Sequence, residues 1–274
     1  MADQIGFIGL GNLGLPVATN ILNAGYNLRV YNRTASKAAP LVANGAEQVD
    51  TPAGVATSGG VVITLLWDDL ALESVVKSEG FLENLGENGI HISMSTISPD
   101  TSRKLSKIHK EYGSTLIEAP IFGVDTAAIH HQLSIPLAGQ EQAKARVKPI
   151  LKALGGLNIF DFGEKIGSAL QVKLVGNFMG ASAMFTMREA LKMVEKDGGD
   201  PEAVINMLTQ TLFDAPLYKN YGQVIAKNEG FPATQSDLPL KDVNIFKKNA
   251  QQSGAPVTIS TLLNDLLEDE KDNS

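Results

Sequence analysis

Two rhythms of apolar and polar positions divide this chain. In the first, short apolar runs recur at Gly6–Leu10, Leu28–Tyr31, Val61–Leu66, Ile90–Met94 and Leu116–Glu118, with helical spacing between several of them. Strands alternating with helices predict a mostly parallel, doubly wound sheet carrying helices on both faces. Leu133–Leu137 and Ile159–Phe162 read as further strands that extend it. After Gly163 the rhythm becomes helical throughout. Ser168 to Glu195 predicts one long helix rich in Ala, Met, Leu and Phe, and 201–211, 214–230, 240–253 and 256–268 predict four more. The expected class is α/β, with a doubly wound sheet in residues 1–162 and an all-helical domain in 163–274 that opens with a long interdomain helix.

The first strand ends in a glycine turn. Ile5-Gly6-Phe7-Ile8-Gly9-Leu10-Gly11-Asn12-Leu13-Gly14 places G-x-G-x-x-G where an apolar strand gives way to a helix, and Leu28–Tyr31 supplies the next strand. A dinucleotide pyrophosphate needs close backbone approach and a helix N-terminus aimed at it. Gly9 permits the tight turn, Gly11 keeps side-chain atoms away from the phosphates, and Gly14 lets the helix pack against the strand. Strand, turn, helix and strand in this order predict a Rossmann nucleotide site. Gly9, Gly11, Asn12, Leu13 and Gly14 form its loop.

The end of the second strand bears on which dinucleotide binds. NAD sites usually place Asp or Glu about 20 residues beyond the glycines, on the ribose 2′-hydroxyl. Here the segment is Asn32-Arg33-Thr34, with Lys37 shortly after. A carboxylate repels a 2′-phosphate, whereas a guanidinium binds it bidentately and a hydroxyl adds a further donor. NADP(H) is therefore expected in preference to NAD(H). The alternative for these residues is a solvated turn.

Composition narrows the picture further. A chain of 274 residues fits two domains, and its formal charge of −7 gives no basic surface for nucleic acid. The absence of cysteine excludes disulfides and zinc–thiolate sites, and no metal site is expected. No signal peptide is visible at Met1-Ala2-Asp3-Gln4, and no apolar run approaches bilayer length, so a cytoplasmic protein without membrane contact is expected. The acidic end, Glu268 to Ser274, reads as a frayed, solvated tail.

Ligands of open parallel sheets sit beyond the carboxyl ends of the strands. Three segments fall there: Leu65-Leu66-Trp67-Asp68-Asp69, Ser93-Met94-Ser95-Thr96-Ile97-Ser98-Pro99 and Glu118-Ala119-Pro120-Ile121-Phe122-Gly123-Val124. Leu66 and Trp67 could flank a cofactor, and Asp68 or Asp69 could simply cap a helix. The long helix carries Lys173 and Asn177 at a spacing that shares one face, in an apolar stretch with Gly176 and Gly180. Such a lysine is a candidate proton donor and acceptor, or else a side chain whose stem covers core while its head reaches water.

Taken together, these segments resemble the β-hydroxyacid dehydrogenase family, which takes in the 3-hydroxyisobutyrate dehydrogenases and the glyoxylate/succinic semialdehyde reductases; the NAD-binding part of 6-phosphogluconate dehydrogenase is related. The resemblance runs from about Ile5 to Ala255. Four landmarks occur in the family's order: the glycine motif with Pro16 following, Ser95-Thr96-Ile97-Ser98-Pro99, Lys173-Leu174-Val175-Gly176-Asn177, and the pair Lys241-Asp242. The resemblance implies that Lys173 is the general acid and base and that Asn177 orients the substrate. It implies that Thr96 touches the nicotinamide side and that Lys241 reaches the cofactor from the second domain. A small carbonyl or hydroxyacid substrate and a homodimer or homotetramer are implied too.

The chain also departs from the family's pattern. Where members carry Asp-Ala-Pro-Val-Ser-Gly-Gly, whose serine and glycine amides hold a substrate carboxylate, this chain reads Glu118-Ala119-Pro120-Ile121-Phe122-Gly123-Val124. Ser95, Phe122, Gly123 and Val124 are then the expected substrate contacts, in a pocket more apolar than usual. Gly176 replaces one of a pair of asparagines, His130 and His131 fall in a turn where members have small residues, and the family's glycine- and aspartate-containing final segment is missing. Two alternatives stand beside the reductase: an imine reductase, which the apolar Phe122 suits, and a non-catalytic dinucleotide-binding homologue.

Overall fold

The computed structural model describes residues 4–232 and 237–272. The chain divides into two compact units, Met1–Lys173 and Leu174–Ser274.

In the first unit, β1 (Gln4–Ile8), β2 (Asn27–Tyr31), β3 (Glu47–Gln48), β4 (Val61–Thr64), β5 (Ile90–Ser93) and β6 (Thr115–Glu118) form one sheet in the order β3-β2-β1-β4-β5-β6. Every neighbouring pair is parallel. The connections include α1 (Gly14–Asn23), α2 (Ala39–Val42), α3 (Asp69–Val76), α4 (Phe81–Leu85) and α5 (Pro99–Glu111). The strand order reverses at β1, so the crevice for a ligand opens between the ends of β1 and β4. The two faces separate residue by residue. Ile5, Phe7, Val61, Ile63, Ile90, Ile92 and Ile117 enter one apolar cluster, and Ile8, Val62 and Leu116 enter another. Both faces are buried, which is why these strands read as continuous apolar runs.

The expectation that Leu133–Leu137 and Ile159–Phe162 extend this sheet is corrected. After α6 (Asp125–Ile129), β7 (Leu133–Leu137) pairs with β8 (Gly156–Asp161) in a separate two-stranded parallel sheet, with α7 (Glu141–Ala153) between them. The segment after β6 does meet β7, antiparallel, through the bridges Glu118–Ala138 and Phe122–Ser134. Each bridge carries two backbone hydrogen bonds. The rung midway between them falls on Pro120 and Pro136. Neither proline has an N–H to donate, so a continuous ladder cannot form there.

The second unit is helical. It takes up α8 (Ser168–Lys196) from Leu174 onward, followed by α9 (Pro201–Thr209), α10 (Pro216–Ala226), α11 (Leu238–Gln252) and α12 (Thr258–Asp272). Its core gathers Met184, Phe185, Met187, Ile205, Val243 and Leu263. A Cβ on Gly222 would come within 2.5 Å of the Ile205 side chain, so α9 and α10 pack more closely than any larger residue allows. The frayed tail is also corrected: Glu268–Asp272 continue α12, and Glu270 and Lys271 pair with Arg188 and Asp237. Asn273 and Ser274, like Met1–Asp3, lie outside the described residues. Among the described residues no helix is long and apolar enough to cross a membrane, and no metal-binding group of His, Cys, Asp or Glu occurs.

Candidate dinucleotide and proton-transfer site

The three glycines of the first loop are required for different reasons. Gly9 has φ +103°, and a Cβ there would lie 2.2 Å from the Leu65 carbonyl oxygen. A Cβ on Gly14 would lie 1.9 Å from the Gly9 carbonyl oxygen. Both are fixed by packing. A Cβ on Gly11 would meet nothing within 4 Å. Open space over Gly11 lies beside the start of α1, whose first turn has no side-chain cap and no acidic residue. Its N–H groups and positive dipole end suit a phosphate. Asn12 is exposed and Leu13 half-buried at that helix start. These features fit a bound pyrophosphate.

Asn32 ties this loop to β2. Its Oδ1 accepts the Leu10 N–H at 2.8 Å, and its Nδ2 donates to the Thr34 carbonyl at 2.9 Å. The residue is therefore committed on both sides and shapes the turn that presents Arg33, Thr34 and Lys37, all exposed. The sequence marks Asn32 as a direct cofactor contact and gives no sign of this tether.

At the next strand ends, the Leu66 N–H donates to Ser95 Oγ at 2.8 Å, with Ser95 buried at 1% exposure. Ser95 thus fixes the Leu66 backbone. Asp68 caps α3 by accepting the Ala71 N–H at 2.8 Å. Asp69 accepts from Ser98 Oγ at 2.5 Å and from Ser98 N–H at 3.2 Å, joining the two loops. Thr96 is half-buried between them in sequence, and Trp67 is exposed. Behind these ends lies a buried relay. His109 Nδ1 is 2.8 Å from the Leu105 carbonyl, which can only accept. His109 Nε2 must then accept from His91 Nδ1 at 2.9 Å, and His91 Nε2 from Thr64 Oγ1 at 2.9 Å. Burial holds His91 well below the usual histidine range, with His109 adding to it, and lowers His109 to about 4.

The loop after β6 sits under Lys173. The Lys173 ammonium lies 4.4 Å from the centroid of the Phe122 ring. Phe122 N–H donates to the Ser134 carbonyl at 2.8 Å, and its own carbonyl accepts from Ser134 N–H at 3.0 Å. Gly123 has φ +135°, with Leu133 and Ala127 closing on its α-carbon. Val124 is exposed and extended just before α6. Glu118, at the end of β6, accepts from Ser102 Oγ at 2.5 Å and from Gly167 N–H at 2.7 Å, and the Ala169 and Leu170 amides also face it. It therefore caps the start of α8. Burial holds its carboxyl above the usual carboxylate range, and these hydrogen bonds offset only part of that rise. The sequence showed Glu118 only as a departure from a pattern. His130 and His131 are exposed in the turn after α6, where His131 adopts φ 54°.

Within the second unit, Asn177 Nδ2 donates to Asp242 Oδ2 at 2.5 Å, and Lys241 Nζ lies 3.1 Å from Asp242 Oδ1. Asp242 is 2% exposed and joins both predicted residues. It was not among the expected site residues, although the Lys241-Asp242 pair was visible.

Residues 4–164 match the family described as the NAD binding domain of 6-phosphogluconate dehydrogenase, and residues 167–273 match that described as NAD-binding of NADP-dependent 3-hydroxyisobutyrate dehydrogenase. The chain is 41% identical to the uncharacterized oxidoreductase YfjR of Bacillus subtilis, over 94% of this chain and 91% of the relative. It is 30% identical to 3-hydroxyisobutyrate dehydrogenase of Pseudomonas aeruginosa, over 96% of this chain and 90% of the relative. In fold it is similar to Mycobacterium tuberculosis 3-hydroxyisobutyrate dehydrogenase solved with L-serine, at TM-score 0.88 and 23% identity, covering 98% of this chain and 94% of that one.

Proposed function

The chain belongs to the β-hydroxyacid dehydrogenase family, and from that premise we infer that it is an NADP-dependent oxidoreductase transferring hydride between nicotinamide and a small β-hydroxyacid or semialdehyde, with Lys173 as general acid and base. Bound NADP(H) would supply or accept the hydride. The chain's own residues bind, orient and move the proton.

Gly9, Gly11 and Gly14 with the start of α1 hold the pyrophosphate. Arg33, Thr34 and Lys37 hold the 2′-phosphate, on a turn shaped by Asn32, and Leu66 and Thr96 line the cofactor's path. In reduction, the Lys173 ammonium gives its proton to the substrate oxygen and offsets the negative charge that builds there. In oxidation it removes the hydroxyl proton. Asn177, its amide fixed by Asp242, is proposed to orient the substrate, and Lys241 is proposed as a cofactor contact. Exposed apolar side chains such as Met193, Met207, Leu212 and Ile259 on the helical unit support a homodimer or homotetramer. We place the protein in the cytoplasm.

The observation that carries this reading is the Lys173 ammonium, set over Phe122 on a helix whose start is capped by Glu118. Imine reduction is the second reading, favoured by the apolar face that Phe122 presents. A spectrophotometric screen of small aldehydes, keto acids and cyclic imines, with NADPH beside NADH, tests both. Turnover of aldehydes with NADPH supports the first reading. Turnover confined to imines replaces it with the second, and equal efficiency with NADH removes the NADP preference.

A further inference from the structure

Among the described residues β8 pairs only with β7, so its other side is an open sheet edge. The register sets Ile135 beside Ile159 and Leu137 beside Asp161, and Phe162 N–H donates to the Leu137 carbonyl. In a parallel pair this alternation turns the N–H and C=O groups of Ile159 and Asp161 away from β7, toward the open side. Proteins usually blunt such an edge with lysine or proline. β8 reads Gly-Leu-Asn-Ile-Phe-Asp and has neither, and its one charge, Asp161, is held by the buried Lys144 ammonium at 2.6 Å. The edge is also apolar: Leu157 is 64% exposed, Phe160 54% and Phe162, just beyond it, 42%.

Charge is graded along this edge. α7 runs back over β8, so its start lies by the end of the strand, where Lys144 pairs with both Glu141 and Asp161 and Glu164 accepts the Glu141 N–H at 2.9 Å. Even with Lys144 and Lys165 beside these three carboxylates, that end is net negative. Toward the other end, Lys148 and Lys152 line a shallow groove of about 390 Å³ with Leu157, Asn158, Ile159 and Phe160. An edge that is basic at one end and acidic at the other complements a second copy of itself laid antiparallel.

We propose that β8 is a self-association surface, through which two copies of the chain join edge to edge, antiparallel, about a two-fold axis at Phe160. An axis perpendicular to the sheet keeps every side chain on its own face. Ile159 then exchanges hydrogen bonds with Asp161 of the second copy on either side of the axis. Between them the two Phe160 residues face each other as a non-hydrogen-bonded pair, with Cα atoms about 4.5 Å apart. Phe162 falls opposite Asn158, so Phe160 and Phe162 of both copies share one face. This surface is separate from the exposed apolar side chains of the helical unit, and it does not depend on the reaction assigned to the chain.

The chain has no cysteine, which allows a register-specific test on full-length protein. Phe160→Cys sets two thiols within disulfide reach across the axis, and in glutathione redox buffer most of the protein should run as a covalent dimer on non-reducing gels. Asn158→Cys and Phe162→Cys each place like positions four residues apart along the strands, about 13 Å, and neither should cross-link alone. Phe160→Lys sets two ammonium groups against each other at the axis and should halve the wild-type mass in light scattering, with thermal melts establishing that the variant is folded. Cross-linking absent from Phe160→Cys or equal in all three cysteine variants overturns the proposal, as does a wild-type mass that Phe160→Lys leaves unchanged.

Discussion

The carboxylate of Glu118 accepts the N–H of Gly167 at 2.7 Å, so the last residue of β6 holds the start of the helix that carries Lys173. Position and orientation of the proposed proton donor thus depend on a residue in the sheet. Glu118→Ala leaves the Ser102 hydroxyl and several helix N–H groups without their buried acceptor. It is expected to cost about 2 kcal/mol in urea denaturation and to lower kcat more than it raises KM for NADPH. Glu118→Gln keeps an acceptor oxygen and should recover most of both. Equal loss in the two variants would contradict the capping role.

The glycine loop separates folding from binding. Gly11→Ala meets open space, so its Tm should stay close to wild type while NADPH affinity falls at least tenfold. Gly14→Ala drives a methyl into the Gly9 carbonyl and should destabilise the protein by several kcal/mol, measured by the same denaturation. If Gly11→Ala binds NADPH normally by fluorescence titration, the loop does not hold the phosphates.

Cofactor choice is expected to follow the turn after β2. Arg33→Ala should raise KM for NADPH about tenfold and leave NADH nearly unchanged. Asn32→Asp keeps the acceptor for Leu10 N–H but sets a carboxylate oxygen against the Thr34 carbonyl, in place of the present amide donor. It should weaken binding of both cofactors, NADPH the more. Parallel kinetics with the two cofactors measure this, and a uniform loss in Arg33→Ala would remove the 2′-phosphate role.

The His91–His109 relay predicts an acid limit to stability. His109 titrates at about 4 when folded, against 6.5 for an unperturbed histidine, so the unfolded chain binds more protons across that window. Stability is full above pH 6.5 and falls as pH drops toward 4, by about 3 kcal/mol from His109 alone. His91, also lowered, adds in the same direction. Glu118 opposes them, because its raised folded pKa favours the folded state as it protonates. Urea midpoints between pH 7 and 4 should therefore decline less steeply in His109→Gln than in the wild type. Identical slopes would show that the relay is not the cause.

Much of the fold was legible because period and punctuation agree. β1, the glycine turn, α1 and β2 are contiguous, and the long helix predicted over 168–195 lies at Ser168–Lys196. Contacts distant in sequence were not legible. Glu118 meets Gly167 across 49 residues and Asn177 meets Asp242 across 65, and no local spacing announces either pair. The separate β7–β8 sheet escaped for a different reason. Apolar periodicity identifies a strand but not its partner, and here two prolines facing one another, Pro120 and Pro136, interrupt the ladder. The tail was misread from its acidity alone, since its pairings with Arg188 and Asp237 lie far back along the chain.

Proton delivery by the Lys173 ammonium underlies every step proposed for this site. Steady-state and single-turnover rates with NADPH and a substrate from the carbonyl screen probe it without intermediaries, in the wild type, Lys173→Ala and Lys173→Arg. With Lys173 as the donor, kcat falls at least a thousandfold in Lys173→Ala while NADPH affinity is unchanged. Lys173→Arg keeps the charge over Phe122 but holds its proton too tightly to give it up, and it should recover little. Turnover by Lys173→Ala within a few fold of the wild type would mean that the proton comes from elsewhere.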